Sequence, residues 1–134
     1  VGHRTKDDRM DVTAIDNERM PAALGPYSQA VRAGDLLFVA GQPGIDPELG
    51  PLTGGDFEAE ARVAFMNLRR VLQAAGLDLD RVVKTTVFLA SADAFPTLNA
   101  LYAEYFPSSP PVRSTPIVEL PRGLRISIEA IAAY

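Results

Sequence analysis

The sequence has no cysteine and no tryptophan, and its 134 residues include a single histidine, His3. Without cysteine, the chain can form no disulfide, no thiolate metal site and no cysteine nucleophile. One histidine in a polar N-terminal stretch argues against a histidine-based zinc site and against a Ser-His-Asp triad. We therefore expect no metal site.

Long apolar runs and basic runs are also missing. No stretch approaches the roughly 18–20 apolar residues that span a bilayer, and the N-terminus has no apolar signal segment. The formal net charge is −4, whereas binding to a phosphate backbone requires clustered lysine and arginine. We expect a soluble, cytoplasmic protein that binds neither membranes nor nucleic acid.

The composition changes at Pro21. Residues 1–20 are polar and show no sustained periodicity, so we predict a flexible N-terminal tail there. For residues 21–134 we predict a single domain, because a chain of this length with 47% hydrophobic residues can build one core.

Apolar periodicity predicts an α+β domain with the order β-β-α-β-α-β-β. Helical spacing between Asp56, a candidate N-cap, and Gly76 predicts the first helix, and Asp93 is the candidate N-cap of a second helix over 94–106. The expected strands, which are rich in apolar and β-branched residues, are 27–33, 36–40, 81–89, 113–118 and 124–132. Strand–helix–strand crossovers predict a mixed sheet with both helices on one face.

Two helices leave the second face of such a sheet without a cover. We expect that Phe38, Val87 and Ile128 cannot all be hidden by the helices. An uncovered apolar sheet face usually associates with further copies of the chain. The sequence therefore predicts an oligomer.

The last predicted strand carries polar side chains on one face, where Arg125, Ser127 and Glu129 alternate with apolar residues. Glu129 can serve as an acid or base, or it can pair with Arg125 at the surface. Surface pairing is the more common role for such residues.

Arg113 follows two prolines, which hold its backbone extended. A guanidinium positioned in this way suits bidentate binding of a small carboxylate, although a surface ion pair is the more common role. Tyr27, Asn99 and the backbone at Gly41 are further candidates for a cleft, and each has an ordinary structural alternative. These residues alone indicate an oligomeric α+β domain that can bind a small carboxylate.

Seven segments of the chain resemble, in order and spacing, the Rid family, which is also called YjgF or reactive-intermediate deaminases. They are PAALGPYSQAV, LLFVAGQPGIDPELG, LQAAGL, VVKTTVFL, LNALYAEYF, PPVRS and ISIEAIA. The resemblance covers nearly everything from Pro21 to Ala132. It implies a chorismate-mutase-like fold and a homotrimer with a barrel-like core and three clefts between subunits. It also implies hydrolysis of enamines and imines such as 2-aminoacrylate to 2-keto acids and ammonia, without a cofactor or a metal.

The same resemblance implies roles for individual residues. Arg113 falls on the family's carboxylate-binding arginine and Tyr27 on its cleft tyrosine. Gly41 falls on a glycine whose backbone contacts the substrate, and Asn99 on the family's helix asparagine. An imino acid already reacts with water, so orienting it and placing a water are the main tasks of such a site.

Three positions depart from the pattern of RidA-like members. Ser127 stands where they typically have a glutamate assigned to positioning the water, and it cannot act as a general base at neutral pH. Ala40 and Thr115 stand where serine and cysteine are frequent. Glu129 belongs to the family motif IEAIA itself. The departures indicate a divergent Rid subgroup.

We therefore predict the catalytic residues Arg113, Tyr27, Ser127 and Glu129, and the substrate-binding residues Arg113, Gly41, Asn99, Thr115 and Ala40. Two alternatives remain open. One is a trimer that binds a small carboxylate without turning it over. The other is a ribonuclease or translation inhibitor, which the acidic charge disfavours.

Overall fold

A six-stranded sheet and two helices make up most of the molecule, which is described by a computed structural model for residues 9–52 and 54–134. The strands are β1 (Val12–Ala14), β2 (Ala30–Ala33), β3 (Leu36–Pro43), β4 (Ile45–Asp46), β5 (Gly50–Pro51), β6 (Val82–Leu89), β7 (Val112–Ser114) and β8 (Ile126–Ala133). The helices are α1 (Phe57–Ala74) and α2 (Phe95–Tyr105). The sheet has the order β1-β2-β3-β8-β6-β7, and β4 and β5 form a separate ribbon.

The first helix begins and ends where the sequence predicted. Asp56 is its N-cap, and the carboxylate accepts a hydrogen bond from the Ala59 N–H at 2.7 Å. Gly76 follows the last residues of the helix with a φ of +83°, a conformation that glycine adopts without strain. Within the part of the chain that the structure describes, no helix is long and apolar enough to cross a membrane.

The second helix is shorter than predicted, and its expected cap is wrong. A 3₁₀ turn over Ala92–Ala94 precedes α2, and Ser91 caps this turn by accepting the Asp93 N–H at 3.2 Å. Asp93 therefore lies inside the turn and donates a backbone hydrogen bond. The N-cap of α2 itself is Ala94, which has no side chain that could form a capping hydrogen bond.

The connections give the mixed sheet that the sequence predicted. Strands β3 and β6 flank β8, and each pairs with it antiparallel. Strand β7 pairs parallel with β6. Helix α1 connects β3 to β6 and α2 connects β6 to β7, so each helix forms a crossover between parallel strands.

Both helices cover one face of the sheet. Helix α1 contacts β3 and β8, and α2 packs beside α1. On β8, the alternating side chains of Ile126, Ile128 and Ala130 are buried beneath them, as the sequence predicted. Val87 is the register partner of Ile128 and is fully buried with it. The two helices therefore hide Val87 and Ile128.

The opposite face carries no helix. Phe38 lies on it with 42% of its surface exposed. Together with Lys84, Thr86, Glu129 and Ile131 it lines a shallow hollow of about 200 Å³. We call these five residues the open face. The helices therefore do not hide all three residues, as the sequence predicted, and Phe38 is the one that stays exposed.

Part of the predicted N-terminal tail belongs to the sheet. Residues 12–14 form β1, which pairs antiparallel with β2. The Asn17 side chain also donates a hydrogen bond to the Ala74 carbonyl at 2.9 Å. The prediction of a flexible tail over 1–20 is therefore wrong for this segment, because backbone pairing holds it. Residues 1–8 lie outside the described residues.

Candidate functional site

The ladder between β3 and β8 is interrupted at Ala40 and Gly41. Its register shifts between Val39 and Gln42, which marks a bulge. The buried Gln42 amide donates to the Gln29 side chain and to the Ala40 carbonyl, both at 2.9 Å. These bonds fix the bulge from the inside of the molecule.

The bulge brings Gly41 against Ser127. A Cβ atom at position 41 would lie 2.7 Å from the Ser127 Oγ, closer than such contacts occur in proteins. Glycine is therefore the residue that lets the β3 backbone approach the serine hydroxyl.

A cavity of about 270 Å³ opens beside this contact. Three residues that the sequence predicted for the site, Tyr27, Gly41 and Ser127, line it together. The remaining lining is mostly apolar and consists of Leu24, Pro43, Ile45, Leu120, Pro121, Arg122 and Leu124.

Tyr27 is positioned by a turn rather than by a strand. Strand β2 begins at Ala30, three residues beyond it, so the predicted strand over 27–33 starts too early. The Tyr27 side chain is 47% exposed, and its phenol oxygen accepts the Leu24 N–H at 3.3 Å. That bond leaves the phenol proton available as a donor to a molecule in the cavity.

Ser127 has no base beside it. The described residues that line the cavity include no carboxylate and no histidine. The serine hydroxyl is therefore not activated as a nucleophile, and it can only donate or accept hydrogen bonds.

Arg113 and Asn99 lie together in a second cluster. The Arg113 Nη2 donates to the Asn99 Oδ1 at 2.8 Å. The guanidinium carbon lies 4.8 Å from the centre of the Tyr102 ring, and the Tyr102 hydroxyl is 2.7 Å from the Thr85 Oγ1. We call Arg113, Asn99, Tyr102 and Thr85 the arginine cluster.

The tyrosine of this cluster stays neutral. Burial raises the pKa of Tyr102, and this effect outweighs the opposing effects of the Thr85 hydrogen bond and of the Arg113 charge. A neutral ring under the guanidinium favours a cation–π contact and fixes the arginine without neutralising it. The sequence did not identify Tyr102 as a site residue, because its spacing also suits the apolar face of α2. Tyr102 follows Asn99 by three positions, and this spacing places the two side chains next to each other on the helix.

The two groups of residues do not meet within one chain. Arg113 is the parallel register partner of the buried Thr85, so its side chain lies on the helix side of the edge strand β7. Ser127 alternates with the buried Ile126 and Ile128 and therefore points to the opposite side of β8. Strand β6 separates β7 from β8.

The other predicted site residues are divided between these regions. Ala40 is part of the bulge, and its N–H donates to the Gln29 carbonyl at 2.9 Å. Thr115 follows directly after β7 and is half-buried. Glu129 lies on the open face as the register partner of Thr86, outside the cavity with Ser127.

The expected surface pair of Glu129 with Arg125 is not present. Arg125 instead binds Glu60, at 2.7 Å between Nε and Oε1. These two residues are 65 positions apart in the chain, so local spacing on β8 gave no indication of the contact. Among the described residues, no group of three acidic, histidine or cysteine side chains could hold a metal ion.

Comparison with known proteins gives one consistent result. Residues 17–134 match the family model described as endoribonuclease L-PSP. The chain is 47% identical to the mouse 2-iminobutanoate/2-iminopropanoate deaminase over 119 residues, and this alignment covers 88% of each protein.

Solved structures agree with this result. The Rid-family protein YyfA of Yersinia pestis superimposes with a TM-score of 0.85 at 37% identity, over 92% of this chain and all of that one (100%). The Escherichia coli protein TdcF, solved with bound serine, gives 0.83 at 34% identity, over 91% and 98%.

Proposed function

Because the chain belongs to the Rid family, whose family model is described as endoribonuclease L-PSP, we propose that it hydrolyses imines and enamines of 2-amino acids. The products are 2-keto acids and ammonia. The observation that carries this function is the 47% identity to a 2-iminobutanoate/2-iminopropanoate deaminase across 88% of both chains.

The reaction needs little chemical assistance from the protein. The oxygen of a water molecule bonds to the imine carbon, and a proton passes to the nitrogen. The hydroxyl proton of the resulting tetrahedral intermediate then passes to the nitrogen as the carbon–nitrogen bond breaks, which releases ammonia and leaves a carbonyl. An unactivated site that orients the imine and one water is adequate for such a substrate.

The arginine cluster suits the orientation of the imine, and the cavity with Tyr27 suits the placement of the water. In our proposal Arg113, fixed by Asn99 and Tyr102, binds the substrate carboxylate through paired hydrogen bonds. Tyr27, the Gly41 backbone and the Ser127 hydroxyl then face the imine carbon and hold the water. Ser127 acts as a hydrogen-bonding group and not as a base.

We further propose that the cleft forms between subunits of a homotrimer. Two features support this assembly. The arginine cluster and the cavity with Tyr27 lie on opposite sides of the sheet within one chain, so a neighbouring chain must supply one of them. The open face also presents Phe38 to the outside, and three such faces packed together would form a barrel-like core.

Replacement of Arg113 by lysine tests the role of the guanidinium. We expect Arg113→Lys to lower kcat/KM about 100-fold, because a charge-assisted hydrogen bond to a carboxylate is worth about 1.5–3 kcal/mol and lysine cannot form the bidentate pair. The measurement is release of 2-keto acid from imines generated by an amino-acid oxidase, relative to spontaneous hydrolysis.

Arg62→Lys is the matched control, because Arg62 forms an exposed ion pair with Glu104 on the helix layer. It should keep full activity. A wild-type protein that accelerates no imine would contradict the proposed deaminase.

The absence of a base beside Ser127 favours one alternative, a trimer that binds small carboxylates without turnover. It predicts that 2-ketobutyrate binds, that Arg113→Ala abolishes the binding, and that the wild type is inactive while Ser127→Glu gains activity.

The family model is described as an endoribonuclease, which would act on RNA. The net charge of −4 gives no electrostatic basis for binding RNA.

A further inference from the structure

Glu60 is buried in a position where a helix normally exposes its charges. It lies in the first turns of α1, two residues after the exposed Glu58. Its side chain has 0% exposure, and among the buried polar residues of the described chain it alone is charged. Such a group requires partners, because desolvation of an isolated carboxylate is very costly.

Arg125 supplies partners for both carboxylate oxygens. The Arg125 Nε donates to Oε1 and the Arg125 backbone N–H donates to Oε2, each at 2.7 Å. The Arg125 Nη2 continues to the Gly55 carbonyl at 2.8 Å. We call this arrangement the Glu60–Arg125 clamp.

The clamp connects the two walls of the cavity with Tyr27. On one side it holds Arg125, which follows the lining residue Leu124 and precedes Ser127 by two positions. On the other side Glu60 packs so closely against Gly44 that a Cβ atom there would collide with it. Gly44 lies between the lining residues Pro43 and Ile45.

Stability alone does not explain this pair. In a buried ion pair the cost of desolvation roughly offsets the attraction, and well-packed apolar residues of similar size often stabilise a protein as much or more. The pair provides what apolar residues cannot, namely directional bonds that fix a backbone N–H and a loop carbonyl at once.

We propose that Glu60 and Arg125 are positioning residues, which hold the wall with Leu124 and Ser127 at a fixed distance from the wall with Pro43 and Ile45. Neither touches the reacting atoms, and the inference rests on the proposed deaminase function. Its consequence is that the shape of the cavity, and hence substrate binding, depends on the clamp more strongly than stability does.

The test is the double variant Glu60→Gln/Arg125→Met. The new amide side chain keeps an acceptor for the backbone N–H of residue 125, and methionine keeps an apolar stem while removing the charge and the bond to Gly55. We expect the unfolding midpoint to stay within about 4 °C of the wild type, while kcat/KM for an imino acid falls about tenfold or more. The loss should appear mainly in KM, because the clamp shapes a binding wall.

Glu104→Gln/Arg62→Met is the matched control. It makes the same chemical changes in an exposed pair at 3.0 Å, and it should leave both the unfolding midpoint and KM unchanged. If the first double variant does not fold, Arg125→Lys replaces it. The ammonium keeps the charge beside Glu60 but cannot reach Gly55 as well, so KM should rise while the protein remains folded.

The outcomes separate the two proposals. An active wild type whose folded clamp variants keep the wild-type KM would overturn the positioning role alone. Parallel loss of stability and activity, with an unchanged KM for the folded fraction, would also overturn it. A wild type without activity towards any imine would overturn the proposed function and this inference with it.

Discussion

The backbone of Gly41 lies against the Ser127 hydroxyl at the edge of the cavity and leaves no room for a side chain at position 41. We expect Gly41→Ala to displace either β3 or the serine, because the added Cβ would lie 2.7 Å from Oγ. The measurable result is a loss of about tenfold or more in kcat/KM, since displacements near 1 Å have large effects on catalysis.

A second variant separates crowding from other effects of the new methyl group. The crowding in Gly41→Ala should also lower its unfolding midpoint. Gly41→Ala/Ser127→Gly removes the hydroxyl that the methyl group meets, so the backbone can keep its place and the protein should regain that stability. Gly54→Ala is the control, because a Cβ at Gly54 meets no atom within 4 Å. Equal stability of Gly41→Ala and the wild type would contradict the crowding.

Individual site residues could be predicted from the sequence only as far as local pattern and the resemblance to the Rid family extend. The contact between Arg113 and Asn99 agrees with their shared assignment to a substrate site, which stays a prediction. Tyr102 and Glu60 were missed, because a tyrosine on an apolar helix face and a glutamate in a first helical turn both have ordinary explanations. Their roles depend on contacts between distant segments.

Among the connecting elements, the turn between α1 and β6 depends on a carboxylate. Asp78 accepts the Leu79 N–H at 2.7 Å and an Arg69 guanidinium bond at 3.2 Å. Burial acts to raise the pKa of Asp78, but the bonds from Leu79 and Arg69 outweigh it, so the pKa lies below the ordinary value of 3.8.

This shift predicts how stability changes with pH. A lowered pKa in the folded state means that the ionised Asp78 stabilises the protein fully above pH 3.8 and that this contribution disappears as the pH falls through the folded value. Urea unfolding should show Asp78→Asn less stable than the wild type at pH 7, by about 1 kcal/mol or less. Near pH 2.5 the difference should shrink.

The control for this measurement is Asp80→Asn, in the same 3₁₀ turn over Leu79–Arg81. It should change stability little at either pH. A difference between Asp78→Asn and the wild type that grew on acidification would contradict a lowered pKa of Asp78 in the folded state.

At the scale of elements, long periodic segments were predictable and short paired segments were not. Helix α1 has five turns of apolar periodicity and a cap, so its bounds follow from the sequence. The ribbon β4-β5 has two residues per strand, too few for a pattern to show in a stretch rich in glycine and proline. The predicted strand 113–118 is paired as β7 only to Ser114. Beyond Pro116 it continues as an isolated bridge between Ile117 and Leu89.

For the whole molecule, the exposed Phe38 on the open face predicts how subunits associate. We expect Phe38→Glu to convert the proposed trimer into monomers, because three buried carboxylates would be desolvated near one another. Light scattering coupled to size-exclusion chromatography measures the change. Leu49→Glu, at a loop position that is 78% exposed, should leave the mass unchanged. A trimeric Phe38→Glu protein would place the interface elsewhere.

The family and the layered α+β architecture could be recognised from the sequence, and both are confirmed. The division of the site into two parts could not. Sequence order does not show which residues on different strands face the same side of a sheet, and Arg113 on β7 and Ser127 on β8 face opposite sides with β6 between their strands. The trimer that would reunite them stays a prediction.

The division of the site also has a genetic consequence. A defect in the arginine cluster and a defect beside Ser127 lie in different halves of the proposed cleft, so two chains with different defects can each supply the half that the other lacks. In mixed trimers roughly one cleft in four would then be built from intact halves only. Two alleles that are inactive alone would partly complement each other in one cell, whereas two alleles with defects in the same half would not.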